Sequence, residues 1–281
     1  MTLAPLREVE AALDLLATRP LVVLTGAGLS TDSGIPDYRG PGSTSRSPMT
    51  YHEFVSTPEA RQRYWARSHL GWQRMGRAVP NDGHRALAAL DPELLITQNV
   101  DGLHEAAGSR RLVALHGRVA DVICLSCRTT SSRADLERRL DALNPGWLEQ
   151  HRQVESRPDG DVDLDDTADF VVPTCACGGW LKPDVVFFGE NVPPERVARC
   201  YGAVEALGPD GVLLVAGSSL TVMSGLRFVK RAAAAGTPIV IVNRGATRGD
   251  PLASYTLEVG CSEFLTRLAE VAGCQRRTKM C

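Results

Sequence analysis

The sequence lacks a long uncharged apolar run, and it lacks a large excess of charge of either sign. The best candidate for a membrane span, residues 211–226, is interrupted by Gly217, Ser218 and Ser219, so we expect no transmembrane helix. The formal net charge of −2 is too small to favour electrostatic binding to nucleic acid or to an anionic membrane. Residues 1–20 carry acidic side chains and show no signal-peptide pattern, which predicts a cytoplasmic protein.

What the chain does contain is an ordinary globular composition and eight cysteines. With 281 residues, 43% of them hydrophobic and 23% charged, it can form one large domain or a large and a small one. Two close pairs, Cys124 with Cys127 and Cys175 with Cys177, stand in polar surroundings, as is typical of zinc-binding loops. The alternatives are a set of buried thiols and a disulfide framework, which a reducing cytosol disfavours.

Four short aliphatic segments, each followed by a polar or glycine-rich turn, predict a parallel sheet covered on both faces. We place these strands at 21–25, 94–97, 212–216 and 238–242, with a helix at 224–236. In an open α/β sheet of the doubly wound kind, the ligand crevice lies at the carboxyl ends of the strands. The four turns should therefore converge on one site.

Two stretches interrupt this pattern. Residues 50–77 predict a helical module with aromatic side chains to bury. Residues 119–182 contain both cysteine pairs and an acidic stretch, residues 155–169, which lacks hydrophobic periodicity and favours a surface loop.

The segment "GAGLSTDSGIPDYRG", residues 26–40, follows the first predicted strand. Its Gly26 and Gly28 would let backbone N–H groups approach a pyrophosphate near a helix N-terminus. Thr31 replaces the third glycine of the dinucleotide fingerprint, so the pattern alone is weak. A tight strand–helix turn is the alternative interpretation.

Six motifs, in order and spacing, resemble those of the sirtuins, the NAD-dependent protein lysine deacylases. They are "GAGLSTDSGIPDYRG", "TQNVDGLHEAAG", "LHG", "VVFFGE", "GSSL" and "VNRG". The resemblance covers about residues 10–270. Four further segments, "QRYWAR", "LNPGW", "PDGDV" and "LKPDVVFFGE", resemble the class II branch, which includes a mitochondrial lipoamidase and ADP-ribosyltransferase-type sirtuin.

The resemblance implies an α/β fold with a Rossmann-like parallel sheet, a small zinc-binding domain and a helical module. We divide the chain into a discontinuous NAD-binding domain (1–45, 80–118 and 183–273), a helical module (46–79), a zinc-binding small domain (119–182) and a tail (274–281).

The two cysteine pairs supply four thiolates, enough to fill a tetrahedral structural zinc site and leave no place for His116 as a fifth ligand. The resemblance agrees, because the family holds one structural zinc with four cysteines. The second pair departs from the family, since "TCAC" has a C-x-C spacing where C-x2-C is usual. This departure puts the geometry of the zinc site in question.

The residues alone leave His116 open between a satisfied core histidine and a catalytic base. The resemblance implies the base, which takes a proton from a ribose hydroxyl, a task for a group titrating near neutrality. It also implies that Asn99 binds the ribose and a water, and that Asp101 binds the nicotinamide carboxamide. Without the resemblance, both side chains could simply cap the following helix. We expect His104 to be structural.

The resemblance assigns further residues in the same turns to cofactor and substrate. The predicted cofactor-binding residues are Gly26, Ala27, Gly28, Asp37, Tyr38, Arg39, Gln98, Asn99, Val100, Asp101, Gly217, Ser218, Ser219, Asn243, Arg244, Gly245 and Cys261. The predicted substrate-binding residues are Val186, Phe188, Gly189 and Glu190. Residues 185–190 are expected to form a strand beside the crevice, where the substrate peptide adds as a further strand and Val186 and Phe188 line the acyl-lysine tunnel.

The implied reaction moves the acyl group of a modified lysine to ADP-ribose and releases nicotinamide. We expect acyl-lysine proteins or peptides as substrates, no nucleic-acid or membrane partner, and a monomer. We also hypothesise that residues 159–166 border the substrate entrance and disfavour acidic acyl chains. The alternatives left open are a hydride-transferring NAD dehydrogenase, a non-catalytic NAD- or zinc-binding module, and mono-ADP-ribosyl transfer.

Overall fold

The computed structural model describes residues 6–37, 48–75, 77–151 and 167–278. In this part of the chain the strands are β1 Leu21–Thr25, β2 Leu94–Thr97, β3 Leu112–Ala114, β4 Gly117–Cys124, β5 Thr130–Ser132, β6 Leu181–Val185, β7 Val212–Ala216, β8 Ile239–Val242 and β9 Tyr255–Leu257. The helices are α1 Leu6–Thr18, α2 Tyr51–Ser56, α3 Pro58–Met75, α4 Asp82–Leu90, α5 Leu103–Ala106, α6 Arg133–Leu143, α7 Trp147–Gln150, α8 Pro194–Leu207, α9 Met223–Ala234 and α10 Cys261–Thr278, with 3₁₀ helices at Ala27–Ser33 and Asp250–Leu252.

Six of these strands form the central parallel sheet, in the order β3-β2-β1-β7-β8-β9. The aliphatic composition of β1 and β7 suits this position, because every residue of both strands is buried. Along β1, Val23 packs into the core layer that contains α1, α4 and α10, whereas Val22 and Leu24 pack into the layer that contains α8 and α9. The predicted α/β fold, with helices on both faces of a parallel sheet, is confirmed.

A second, antiparallel sheet has the order β5-β4-β6 and carries the cysteine pairs near its ends. Its core contains Val122 and Leu136 together with Trp65 of α3 and Phe170. Residues of the predicted helical module and of the predicted zinc-binding domain therefore share one hydrophobic core. The division of the chain into domains stays a prediction.

The predicted elements match the structure with small shifts, and one is wrong. The helix expected at 224–236 is α9, and the helical stretch 50–77 is divided into α2 and α3. The strand expected at 185–190 does not form, because β6 ends at Val185 and the chain turns. The Glu190 N–H bonds the Phe187 carbonyl at 3.0 Å, and Gly189 supplies the positive φ of 80° that this turn needs.

Within this turn, Phe188 forms one isolated bridge with Thr50, the residue before α2. Of the helices in the described ranges, none is long and apolar enough to cross a membrane. Most of the acidic stretch 155–169, including residues 159–166, lies outside the described residues.

Candidate active site

A cavity of about 710 Å³ opens at the carboxyl ends of β1, β2, β7 and β8, as the topology of the sheet predicts. The predicted residues that line it are Gly26, Ala27, Gly28, Asp37, Gln98, Asn99, Val100, Asp101, His116, Val186, Phe188, Gly189, Glu190, Gly217, Ser218, Ser219, Asn243, Arg244 and Gly245. Among the described residues, Cys261 does not line the cavity. It is buried, and its Sγ lies 3.7 Å from the Val242 carbonyl oxygen. Tyr38 and Arg39 lie outside the described residues.

The glycine turns after β1 and β7 touch backbone to backbone at the floor of the cavity. The Gly28 N–H donates to the Gly217 carbonyl at 2.9 Å. A Cβ on Gly26 would lie 2.7 Å from that same carbonyl oxygen, and a Cβ on Gly217 would lie 2.4 Å from the Leu29 nitrogen. Side chains at these positions would push the two turns apart. The N–H groups of Gly26 and Gly28 donate to the Ala216 and Gly217 carbonyls, so these glycines leave space for a dinucleotide beside bare backbone but do not offer their own N–H groups to its phosphates.

Asn99 and Asp101 are held in place by Ser30, a residue that has no role in the sequence-based predictions. The Asn99 side-chain amide donates to the Gly26 carbonyl at 3.0 Å and to the Ser30 hydroxyl oxygen at 2.9 Å. The Ser30 hydroxyl donates to one carboxylate oxygen of Asp101 at 2.7 Å. The other oxygen accepts the N–H of Leu103, the first residue of α5, at 2.9 Å, so Asp101 is held at the start of this helix and also lines the cavity.

His116 is half-buried between two partners. Its Nδ1 lies 2.9 Å from the main-chain oxygen of Gln98, and its Nε2 lies 2.8 Å from Ser224 Oγ. A carbonyl oxygen can only accept, so Nδ1 carries the hydrogen and the neutral ring has its lone pair on Nε2. The His116 carbonyl also accepts the Val186 N–H at 2.8 Å, which ties the histidine to the predicted substrate segment.

The surroundings of His116 keep it neutral. The pKa of His116 is lowered to about 4, mainly by desolvation and to a smaller extent by the positive charges of Arg196 and Arg227, while the hydrogen bond to Gln98 opposes the shift. This pKa lies below the near-neutral value expected of the base, and at neutral pH the imidazole is in the neutral form that can accept a proton.

His104 lies outside the lining of the cavity, in agreement with a structural role. It is fully buried, its Nε2 lies 2.9 Å from Thr25 Oγ1, and its ring contacts that of His84 with 4.7 Å between centroids and 59° between the ring planes. Burial, followed by the neighbouring His84, lowers the pKa of His104 to about 3.

Glu190 supports the substrate side of the cavity through two bonds inside the protein. Its carboxylate accepts the Phe187 N–H at 2.9 Å and pairs with Lys182 Nζ at 2.9 Å. Lys182 is only 2% exposed, and its ammonium lies 4.5 Å from the Phe187 ring centroid. Burial lowers the pKa of Lys182, and the Glu190 carboxylate opposes that effect. Phe188, by contrast, is 40% exposed at the cavity.

The four paired cysteines meet at one point, apart from His116. Their sulfur atoms all lie within 4.8 Å of one another, with 3.6 Å between Cys124 and Cys177 and 3.7 Å between Cys127 and Cys175. Tetrahedral zinc with Zn–S bonds of about 2.3 Å requires sulfurs roughly 3.8 Å apart. The donor set and its spacing thus fit one structural zinc.

Two glycines accommodate the short C-x-C spacing. Gly178, at a φ of 80°, closes a turn by donating its N–H to the Cys175 carbonyl at 2.8 Å. At the next residue, Gly179, an added Cβ would lie 2.6 Å from Cys124 Sγ. Because the chain has no side chain at this point, the second cysteine pair can approach the first, and the departure from C-x2-C leaves the four-sulfur site intact.

Comparison with known proteins gives consistent matches over almost the whole chain. A family model described as the Sir2 family matches residues 26–224. The "NAD-dependent protein deacetylase 1" of Mycobacterium avium is 55% identical over 263 residues, which cover 91% of this chain and 92% of that protein. The protein of the same name from Streptomyces coelicolor is 56% identical over 269 residues, covering 92% of this chain and 88% of that protein.

Solved structures agree with these relatives. A structure described as "Sir2-p53 peptide-NAD+" has a TM-score of 0.75 and 32% identity, and the match covers 95% of this chain and 99% of that one. Another, described as "Sir2 bound to acetylated peptide", has a TM-score of 0.74 and 31% identity, with 94% of this chain and 98% of that one covered.

Proposed function

The chain belongs to the Sir2 family, and from that premise we propose that it is an NAD-dependent protein lysine deacetylase with His116 as its general base. The observation that supports this role best is the state of His116: a neutral imidazole with its lone pair on Nε2, in the cavity that the glycine turns and Asp101 also line. A structural histidine would have no need to face this cavity.

NAD bound in the cavity would supply the nicotinamide–ribose bond, whose cleavage lets ADP-ribose take up the acyl group. We assign the phosphates to the touching turns that contain Gly26, Gly28 and Gly217, and the adenosine end to residues 243–245. Asp101 and Asn99, which Ser30 already orients, would hold the nicotinamide and its ribose. His116 accepts a proton at Nε2 while its Nδ1–H stays bonded to Gln98.

The substrate we propose is an acetylated lysine within an extended peptide. Two of the similar solved structures are described with a p53 peptide or an acetylated peptide. In this chain Val186 and Phe188 line the cavity beside His116, and the His116 carbonyl fixes the backbone at Val186. We propose that the peptide binds mainly through its backbone, as an added strand, and such binding leaves its side-chain sequence loosely constrained.

The finer assignments rest on the sequence motifs. We propose that the protein falls in the class II branch, on the strength of "QRYWAR", "LNPGW" and "LKPDVVFFGE". We also propose that it works as a cytoplasmic monomer, with the predicted domain division and with Cys261 contributing to the cofactor site through its main chain.

The test is incubation of the purified protein with NAD and an acetyl-lysine peptide, followed by mass spectrometry of the peptide and the nucleotide. We expect the peptide with a deacetylated lysine side chain together with free nicotinamide. The rate should fall about 10²–10⁴-fold in His116→Ala. The exposed His52, on α2 and outside the cavity lining, provides the control variant His52→Ala, which should keep full activity. Formation of reduced nicotinamide, or full activity in His116→Ala, would contradict the proposal.

A further inference from the structure

Ser224 touches the proposed general base directly, yet no motif pointed to it. It is the second residue of α9 and lines the cavity, and its Oγ lies 2.8 Å from His116 Nε2. Because Nδ1 is occupied by the Gln98 carbonyl, Nε2 is the nitrogen that must accept a proton. The Ser224 hydroxyl therefore occupies the position from which His116 acts.

An imidazole nitrogen has a single lone pair, which lies in the plane of the ring. In the neutral ring the Ser224 hydroxyl donates its hydrogen to that lone pair. A reacting hydroxyl can then reach Nε2 in two ways: Ser224 moves away, or the proton passes through it.

We propose that Ser224 is a proton relay between the reacting hydroxyl and His116. The step rests on the proposed function of His116 and balances within three groups. The reacting O–H bond breaks and a new O–H bond forms at Ser224 Oγ, while the original Ser224 O–H bond breaks and an N–H bond forms at Nε2. Ser224 ends as the neutral alcohol that it was, and the proton resides on His116.

The contacts of α9 with Gln98 fix the backbone that carries Ser224 beside His116. A Cβ on Gly225 would lie 2.8 Å from the side-chain nitrogen of Gln98, so the absence of a side chain lets the start of α9 rest on Gln98. The Gln98 side-chain oxygen accepts the Ser218 hydroxyl at 2.6 Å, which fixes it from the other side. Gln98 thus holds His116 with its main chain and α9 with its side chain.

The charges around His116 come from several elements, and a change at Ser224 leaves them in place. Arg196 of α8, which pairs with Asp184 of β6 at 3.2 Å, and Arg227 of α9 both disfavour the imidazolium. Asp101, after β2, lines the same cavity. When Nε2 is protonated, the Ser224 oxygen can accept its hydrogen, and a hydrogen bond to a charged group is about twice as strong as a neutral one. The hydroxyl should therefore raise the basicity of His116.

The experiment compares Ser224→Thr with Ser224→Val, which have side chains of one shape and differ by the hydroxyl. We expect Thr to stay within about 3-fold of the native kcat and Val to lose about 10–100-fold, with KM for NAD and peptide little changed in both; this loss lies below that of removing the base itself. The kcat of Ser224→Ala should lie between those of the Thr and Val variants, since alanine leaves room for a water in place of the hydroxyl. In the pH profile of kcat, the acidic limb should lie about 0.5–1 pH unit lower for Ser224→Val than for Ser224→Thr, because His116 is the weaker base without the hydroxyl.

A second readout uses the free protein without substrates. The ¹⁵N resonance of His116 Nε2 should report a hydrogen bond in the native protein and in Ser224→Thr, and none in Ser224→Val. Identical Nε2 resonances in Thr and Val would show that the bond is absent and overturn the relay, whatever the rates. Unchanged zinc content and NAD affinity in the two variants control for the fold.

The rates then separate the two proposals. Suppose that His116→Ala is inactive but Ser224→Val is at least as active as Ser224→Thr. The relay alone would then be overturned, and Ser224 would only block access to His116. An active His116→Ala would overturn the proposed base and the relay with it.

Discussion

Gly217→Ala tests whether the touching glycine turns build the cofactor site. Gly217 has a φ of 67°, a conformation that costs alanine about 1–2 kcal/mol. Its Cβ would lie 2.4 Å from the Leu29 nitrogen and 2.7 Å from the Gly28 carbonyl carbon, and both are backbone atoms that cannot rotate away. Relieving such overpacking costs about 1–3 kcal/mol more. The expected loss in free energy of unfolding is therefore about 2–5 kcal/mol, a large part of the stability of an ordinary domain.

Two other glycines separate these contributions. Gly108 has a φ of 89° but nothing within 4 Å of its added Cβ, so Gly108→Ala should show only the conformational cost of about 1–2 kcal/mol. Gly202 lies within α8, also with nothing within 4 Å, and Gly202→Ala should stabilise the protein by about 0.5–1 kcal/mol.

Urea unfolding followed by circular dichroism measures the three stabilities, and calorimetric titration measures NAD binding. We expect Gly217→Ala to weaken NAD binding strongly, because the turn after β1 must move, whereas the other two variants should bind as the native protein does. If Gly217→Ala were no less stable than Gly108→Ala, or bound NAD normally, the contact between the turns would not support the site.

Two further predictions concern the zinc site and pH. Cys175→Ser or Cys177→Ser should release the zinc and destabilise the second sheet, because a structural metal contributes its binding free energy to folding; one zinc per chain in either variant would refute the four-cysteine assignment. Burial holds the pKa of His104 at about 3 in the folded protein against about 6.5 when unfolded, so only the unfolded chain gains this proton as pH falls through that window. Stability should thus decline from about pH 6.5 towards pH 3, and the decline should be smaller in His104→Gln; equal slopes for the two proteins would contradict this.

Much of the architecture follows from the local sequence. Aliphatic runs such as residues 21–25 and 212–216 are typical of strands covered on both faces, and the polar turn after each strand marks the same edge of the sheet. The four paired cysteines predict a zinc site by ligand count alone. These properties depend on residue type and spacing within short segments, so the sequence determines them without knowledge of the fold.

The state of the site depends on contacts between distant parts of the chain. Ser30 reaches Asp101 across 71 positions, and Ser224 reaches His116 across 108. No local pattern marks either serine, because a single hydroxyl acquires its role from the partner that the fold brings to it. The same reason explains why Cys261 is buried against the end of β8 and is not among the described residues that line the cavity. It also explains why the expected strand at 185–190 ends in a turn that Glu190 and Lys182 stabilise. Residue types and spacing are enough to predict the sheet, the glycine turns and the four cysteine ligands, but which nitrogen of His116 can accept a proton depends on the Gln98 carbonyl that the fold brings to its Nδ1.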